Sequence, residues 1–272
     1  MLYLKSYCYS SHELPFIIAN LEEGFDYIDK LLLYEYNYTH TGLKKEYYIE
    51  KLLDKIPEKL KTKLYYKTVI LDNYIEYALN NEEVIHKINE PIQRSWAFND
   101  PNINFNDDDI IIDIDIDEII YKKSYTLLIE ELKQKNIPLS IKLNQFFYKN
   151  TYLWEDCNFS SPTIYKYSMV KNKPKNIKGL KICNKRDLNK LTDNIYGCHM
   201  SWIMPTDYMI KKLYSYSHPK YRIFSDIDVL NKAINEKKYI FDKDISFKID
   251  QLELNDIRIP KYLQNENIFE YL

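Results

Sequence analysis

An apolar opening run, Leu2 to Cys8, reads as a first strand. Ser10-Ser11-His12-Glu13 follows, with the spacing of a capping box if Ser10 is the cap. Leu14, Ile17, Leu21, Phe25 and Ile28 then recur at helical spacing, and Gly24-Phe25-Asp26 can end that helix. Leu31-Leu32-Leu33 is the buried run of a second strand, Lys30 to Glu35, and Tyr36 to Gly42 is a polar loop beyond it. Strand, helix, strand in that order is a βαβ unit, the seed of a parallel sheet.

The rhythm continues in both registers. Residues 43 to 64 read as a highly charged helix, Tyr65 to Leu71 as a third strand, and residues 72 to 98 as mostly helical. Pro101 to Asp108 is a turn-rich loop. Asp109 to Ile114 is a central strand, with Ile110-Ile111-Ile112 buried on both faces. Ser124 caps a helix through Lys135, which Pro138 stops. Ser140 to Tyr148 and Thr163 to Val170 read as strands, open to antiparallel pairing, and Ile195 to Ile203 as another. Helices follow from Pro205-Thr206-Asp207 to about Ser215 and from about Asp226 to Lys237. The pattern predicts an α/β fold, with no internal repeat and no flexible linker.

Composition narrows the function classes. With 45% apolar residues in 272, the chain can bury a real core. The 27 Tyr, with abundant Ile, Asn and Lys, fit an AT-rich coding bias that carries no functional message. Thirty-eight basic against 40 acidic residues leave a formal charge of −2 and no basic block, so duplex nucleic acid has no electrostatic footprint here. Four cysteines, none in a C-x-x-C pair, support neither a zinc knuckle nor a disulfide framework. The opening residues do not form a signal peptide, and no run of about 18 apolar residues could span a membrane. A cytoplasmic location is the expectation.

Glycine is the scarce residue. Only Gly24, Gly42, Gly179 and Gly197 occur, so both glycine-rich phosphate loops are absent. A bound nucleotide would need its phosphates neutralised another way, and a metal on carboxylates is the obvious one.

Carboxylates for it stand in Asp113-Ile114-Asp115-Ile116-Asp117-Glu118. Side chains alternate along a strand, so the three aspartates are expected to share a face, about 6.6 Å apart. Neighbouring charges at that spacing repel by roughly 2.5 kcal/mol at an effective dielectric of 20, which calls for water or a cation. Mg²⁺ and similar ions typically take one or two carboxylates plus substrate phosphates. A calcium loop is excluded, because Glu118 and Ser124 stand where it needs Gly and Glu. A solvated strand end and a metal site remain equally open, and carboxylates on strands also serve nucleases and phosphatases.

Four ordered motifs discriminate further. Glu13-Leu14 and Asp26-Tyr27-Ile28-Asp29 precede Glu35-Tyr36-Asn37-Tyr38-Thr39-His40-Thr41-Gly42. Glu90-Pro91-Ile92-Gln93-Arg94 precedes the acidic strand, Asp115-Ile116-Asp117-Glu118-Ile119 follows it, and Gly197-Cys198-His199-Met200-Ser201-Trp202 comes later. Tyr216-Ser217-His218-Pro219-Lys220-Tyr221 and Ile259-Pro260-Lys261-Tyr262-Leu263 complete the series. The chain resembles glycosyltransferase family 17, the β-1,4-mannosyl-glycoprotein 4-β-N-acetylglucosaminyltransferases, whose motifs are N-E-L, E-x-N-x-T-H-T-G, E-x-x-Q-R, D-V-D-E-I-P and G-W-H-x-S. The departures are Ile120 for the family's proline, Ile114 for a small polar residue and Cys198 for tryptophan.

The resemblance implies a GT-A-like fold: a mixed, mostly parallel sheet flanked by helices. It implies one catalytic domain over residues 1–272, with a nucleotide-binding half to about 120 and an acceptor half beyond. It also implies inverting transfer from a UDP-sugar, N-acetylglucosamine foremost, to a glycan or other hydroxyl acceptor, with Mn²⁺ or Mg²⁺. Asp115 and Asp117 become the D-x-D pair, with His199 as a third metal ligand or a catalytic contact. Glu13, Glu35, Asn37, Thr39, His40, Gln93 and Arg94 become donor contacts.

Each has a plainer reading. Glu13 is half of a capping box, the Glu35–His40 stretch a polar turn, Arg94 a surface ion pair, and His199 or His218 a core histidine. Glu118 and Asp207 are candidate general bases by residue type. Trp154 and Trp202 are candidates for stacking on sugar. The alternative functions are a non-catalytic nucleotide-sugar or glycan-binding relative and a carboxylate-metal phosphoesterase.

Overall fold

The computed structural model of the chain describes residues 1–72, 82–172, 175–177, 180–182, 190–215, 219–242, 245–265 and 268–269. The elements run β1 (Leu2–Cys8), α1 (Leu14–Gly24), β2 (Lys30–Tyr36), α2 (Glu58–Lys61), β3 (Leu64–Val69), α3 (Glu82–Ser95), β4 (Ile110–Asp113), β5 (Glu118–Ile120), α4 (Tyr125–Lys135), β6 (Leu139–Phe147), β7 (Tyr152–Phe159), β8 (Thr163–Lys166), β9 (Lys175–Ile177), β10 (Leu180–Ile182), β11 (Leu191–Ser201), α5 (Thr206–Ser215), α6 (Ile227–Asn235) and β12 (Ile249–Gln251).

Among the described residues, ten strands form one sheet in the order β12-β7-β6-β8-β4-β1-β2-β3, with β11 joining β6 to β5. The centre, β4-β1-β2-β3, is parallel. Beyond it, β8 is antiparallel to both β4 and β6, while β11 is parallel to β6. This is the α/β, GT-A-like arrangement expected.

The central strands are buried on both faces, and alternation sorts their side chains. Leu2, Leu4 and Cys8 of β1, with Leu31 and Leu33 of β2, pack on one face with α1. Tyr3, Tyr7, Leu32, Tyr34 and Tyr36 pack on the other, against Ile85 and Ile92 of α3. The chain leaves β1 toward β2 and β3 on one side, and β4 lies on the other side of β1. That reversal puts a crevice beyond the carboxyl ends of β1 and β4, where ligands of open α/β sheets bind.

Three expectations are corrected. Residues 43 to 64 form no long helix, but a 3-10 turn at Glu50–Lys55 and the four-residue α2. The cause is the buried Glu35, whose carboxylate draws in the backbone N–H groups of Tyr48 (2.6 Å) and Ile49 (3.0 Å). β4 stops at Asp113, so the three aspartates do not share a strand face. The chain instead turns, with Glu118 N–H donating to the Asp115 carbonyl (2.9 Å). β7 and β12 form an unanticipated antiparallel pair. Of the predicted helix over 72–98, α3 covers 82–95, and residues 73–81 lie outside the described residues.

Two glycines answer to geometry. Gly42 has φ +80°, and a Cβ there would lie 2.2 Å from Ile85 Cδ1. A Cβ on Gly197 would lie 2.0 Å from the Ile119 carbonyl oxygen, so only glycine lets β11 approach β5. That approach pairs His199 with Glu118 and brings the histidine beside the acidic turn. Among the described residues, no helix is long and apolar enough to cross a membrane.

Candidate active site

A cleft of about 960 Å³ opens in that crevice, and Glu13, Thr39, His40, Arg94, Asp115, Asp117 and His199 all line it. These residues come from five separate segments, so the fold gathers what the sequence scatters.

The acidic turn is pinned from several sides. Glu118, fully buried, accepts the Asp115 N–H at 2.6 Å. Asn20 of α1 donates to the Ile116 carbonyl (2.9 Å), and Met200 N–H of β11 donates to the Asp117 carbonyl (2.8 Å). Arg94 grips the Asp115 carboxylate with both Nη atoms, at 2.5 and 3.3 Å, and Tyr7 Oη donates to it at 2.5 Å. Glu90, one turn earlier on α3, accepts from Arg94 Nε at 2.8 Å. A forked guanidinium on two carboxylates fixes the turn's position as well as its charge.

Asp113 belongs to the frame. Its carboxylate meets Lys5 Nζ at 2.8 Å, each side chain 3% exposed.

Asp117 faces the cleft with looser partners: His199 Nε2 lies 3.7 Å from Oδ1 and Lys212 Nζ 3.4 Å from Oδ2. Burial pushes the Asp117 carboxyl up, but the Lys212 ammonium and the His199 ring outweigh it and hold it down to about 2. Gln145 Nε2 donates to the Phe146 carbonyl (2.7 Å), which leaves its Oε1 to accept from His199 Nδ1–H at 2.9 Å. The Nε2 edge of the ring is thereby turned toward Asp117.

Another wall of the cleft is built on the loops that follow β1 and β2. Glu13 accepts the N–H groups of Tyr9 (2.5 Å) and Ser10 (2.9 Å), so the capping box forms and also lines the cleft. Thr39 Oγ1 accepts Leu43 N–H at 3.0 Å, closing the turn that presents His40 beside the Tyr7 and Tyr9 rings. Gln93 lies beneath, accepting from Tyr9 Oη at 2.6 Å.

Burial pushes the Glu13 carboxyl up to about 8, against the pull of the Ser10 N–H. Burial, joined by the Lys212 charge, pushes His12 down to about 3. The two have opposite consequences for stability. Glu13, ordinarily near 4.5, keeps a proton in the fold that the unfolded chain has released, so stability falls as pH rises toward 8. His12, ordinarily near 6.5, stays neutral in the fold, so stability falls as pH drops from there toward 3. Between those two limits, 6.5 and 8, Glu13 alone of the pair acts. Glu13→Gln keeps an acceptor oxygen but cannot ionise. It is expected to flatten the fall in melting temperature across that window, and an unchanged slope would count against the buried proton.

Other candidates lie off the cleft. Glu35 accepts from Tyr48, Ile49, Lys45 and Tyr66, and so anchors the loop beyond β2. Asn37 ties that loop to the next one, donating to Asp72 Oδ1 (2.8 Å) and accepting from Leu71 N–H (2.9 Å). Asp207 is exposed in the first turn of α5, 3.6 Å from Lys211. His218 lies outside the described residues.

The model of glycosyltransferase family 17 matches residues 7–272. The chain belongs to glycosyltransferase family 17. It is thus a glycosyltransferase, with a sugar donor and an acceptor as its partners. A comparison with curated proteins finds no match.

In this family 17 chain, Tyr7, Gln145 and Lys212 complete the site and no sequence motif had singled them out. The aromatic side chains Phe147, Trp154, Phe159, Trp202 and Tyr239 line the cleft with them. Trp202 takes a left-handed backbone (φ 59°), a strain of order 1–3 kcal/mol in a non-glycine residue.

The donor set can be tested against a divalent ion. Among the described residues, no cluster of three or more His, Cys, Asp or Glu side chains is placed to hold one. Asp115 is committed to Arg94. Asp117 Oδ1 and His199 Nε2, 3.7 Å apart, are too far for a strong hydrogen bond. Two ligands each about 2.1 Å from one ion stand roughly 3.0–3.6 Å apart at 90–120°. Asp117 and His199 stand just beyond that spacing, so a small side-chain adjustment would make them a two-ligand site that substrate phosphates and water would complete.

Proposed function

We propose that the cleft binds a UDP-sugar, N-acetylglucosamine foremost, and transfers the sugar with inversion to a glycan or other hydroxyl acceptor, assisted by Mn²⁺ or Mg²⁺. What carries the reading is Asp117 with His199 at the reversal point of the sheet, in a chain of family 17. Asp117 and His199 would hold the ion, which supplies positive charge at the diphosphate. Arg94 and Tyr7 hold Asp115 and with it the turn that presents Asp117. Gln145 keeps the His199 ring oriented. The Tyr7–Tyr9–His40 wall flanks the crevice where the nucleoside would lie. The aromatic wall from Phe147 to Tyr239 suits the apolar faces of a pyranose acceptor.

The test is release of free nucleotide from a panel of nucleotide sugars, with Mn²⁺, with Mg²⁺ and with EDTA, together with the anomeric configuration of any product. UDP release that requires the metal, with an inverted product, is expected. Release from another nucleotide class, or equal release in EDTA, contradicts the donor or metal assignment. Donor binding without turnover over a broad acceptor panel would favour the non-catalytic relative.

A further inference from the structure

Asp117 is the carboxylate the proposed ion needs, and a lysine already stands at its second oxygen. Lys212 reaches from α5 so that Nζ is 3.4 Å from Asp117 Oδ2, with 24% of the side chain exposed. The same ammonium lies over the Trp202 ring, 5.2 Å from its centroid. The helix that carries it is tied across the cleft to the loops that follow β1 and β2. Ser11 Oγ donates to Tyr208 Oη (3.2 Å), and Thr41 Oγ1 donates to the Tyr214 carbonyl (2.9 Å). Lys212 is therefore held over the acidic turn by its own helix.

Three other cations on the cleft are committed elsewhere. Arg94 is forked on Asp115 and Glu90. Lys45 pairs with the buried Glu35 at 3.1 Å. Lys211 sits over the Tyr208 ring. Lys212 alone of these four shares its anion with the proposed ion. A divalent ion arriving on Asp117 repels the ammonium, and the anion that arrives with the ion is the diphosphate.

We propose that Lys212 is a leaving-group cation: it neutralises Asp117 in the empty cleft and passes to the donor's β-phosphate when ion and nucleotide bind. This rests on the metal and nucleotide reading above. In the transfer, the bond between the anomeric carbon and the β-phosphate oxygen breaks, and both electrons stay on that oxygen. The acceptor oxygen bonds to the anomeric carbon and yields its proton to a base. The diphosphate gains one negative charge, and the ammonium compensates it without giving up a proton.

The experiment compares the wild-type chain with Lys212→Met and Lys212→Arg. Three quantities are read: binding of Mn²⁺ alone, binding of UDP in saturating Mn²⁺, and kcat for UDP release. Lys212→Met is expected to bind Mn²⁺ alone about tenfold more tightly, because the competing cation is gone, and UDP about tenfold more weakly. Its kcat should fall by about 10²-fold, with part of the loss recovered in Lys212→Arg. A merely structural lysine would move both affinities in the same direction. Affinities that weaken together, or an unchanged kcat, overturn the inference while leaving the metal and nucleotide reading in place. A wild type that binds neither Mn²⁺ nor UDP overturns that reading, and this inference with it.

Discussion

Asp117→Asn is expected to lower kcat for sugar transfer by about 10³-fold or more with the fold intact. The amide keeps the shape of the side chain but removes the charge that faces His199 and Lys212. Without it the proposed ion loses one of its two protein ligands, and Lys212 loses its anion. The effect on stability should be smaller. The folded carboxyl is held at about 2, below its ordinary 3.8, so its ionised form stabilises the fold by roughly 2 kcal/mol at neutral pH. That contribution is present above the ordinary value and is lost as pH falls through the folded one. Activity and melting temperature, measured on one preparation, separate the two effects. A variant that keeps a tenth of wild-type kcat would remove Asp117 from the chemistry.

The largest expected loss of stability lies one strand away. Lys5 and Asp113 face each other in register across β1 and β4, both nearly inaccessible, 2.8 Å apart. Lys5 Nζ also donates to the Arg94 carbonyl at 2.5 Å, which links this pair to the helix that grips Asp115. Lys5→Met leaves a carboxylate buried without its counter-charge, and loss of about 3–5 kcal/mol is expected in denaturant unfolding. Adding Asp113→Leu removes the stranded charge and should restore most of the loss. A Lys5→Met variant within about 1 kcal/mol of wild type would show Asp113 solvated or neutral. Asp113 would then rejoin the acidic turn as a candidate ligand.

That distinction between Asp113 and Asp117 shows what the sequence could and could not convey. The triple isoleucine and the aspartates after it were legible as a strand running into a site. Where the strand ends was not, because the turn depends on Glu118 folding back onto the Asp115 N–H. The helical rhythm of 43–64 was overruled for a similar reason, the buried Glu35 taking that segment's backbone donors. β7 hid because Trp154-Glu155-Asp156-Cys157-Asn158 has no clean alternation. The family motifs found the segments of the site but not the division of labour within them. Glu35, Asn37 and Gln93 lie beneath the cleft and hold its loops, while Thr39 and His40 face into it. Tyr7, Gln145 and Lys212 sit in ordinary strand and helix patterns, and only the fold brings them to Asp115, His199 and Asp117 respectively.

The most direct measurement is a calorimetric titration of UDP into the wild type and Asp117→Asn, each with Mn²⁺ and with EDTA. UDP should bind the wild type in Mn²⁺, and lose about tenfold or more in affinity in EDTA or on loss of the carboxylate. UDP affinity that is the same in all four titrations, or absent from all of them, would contradict a metal-assisted nucleotide-sugar site built on Asp117.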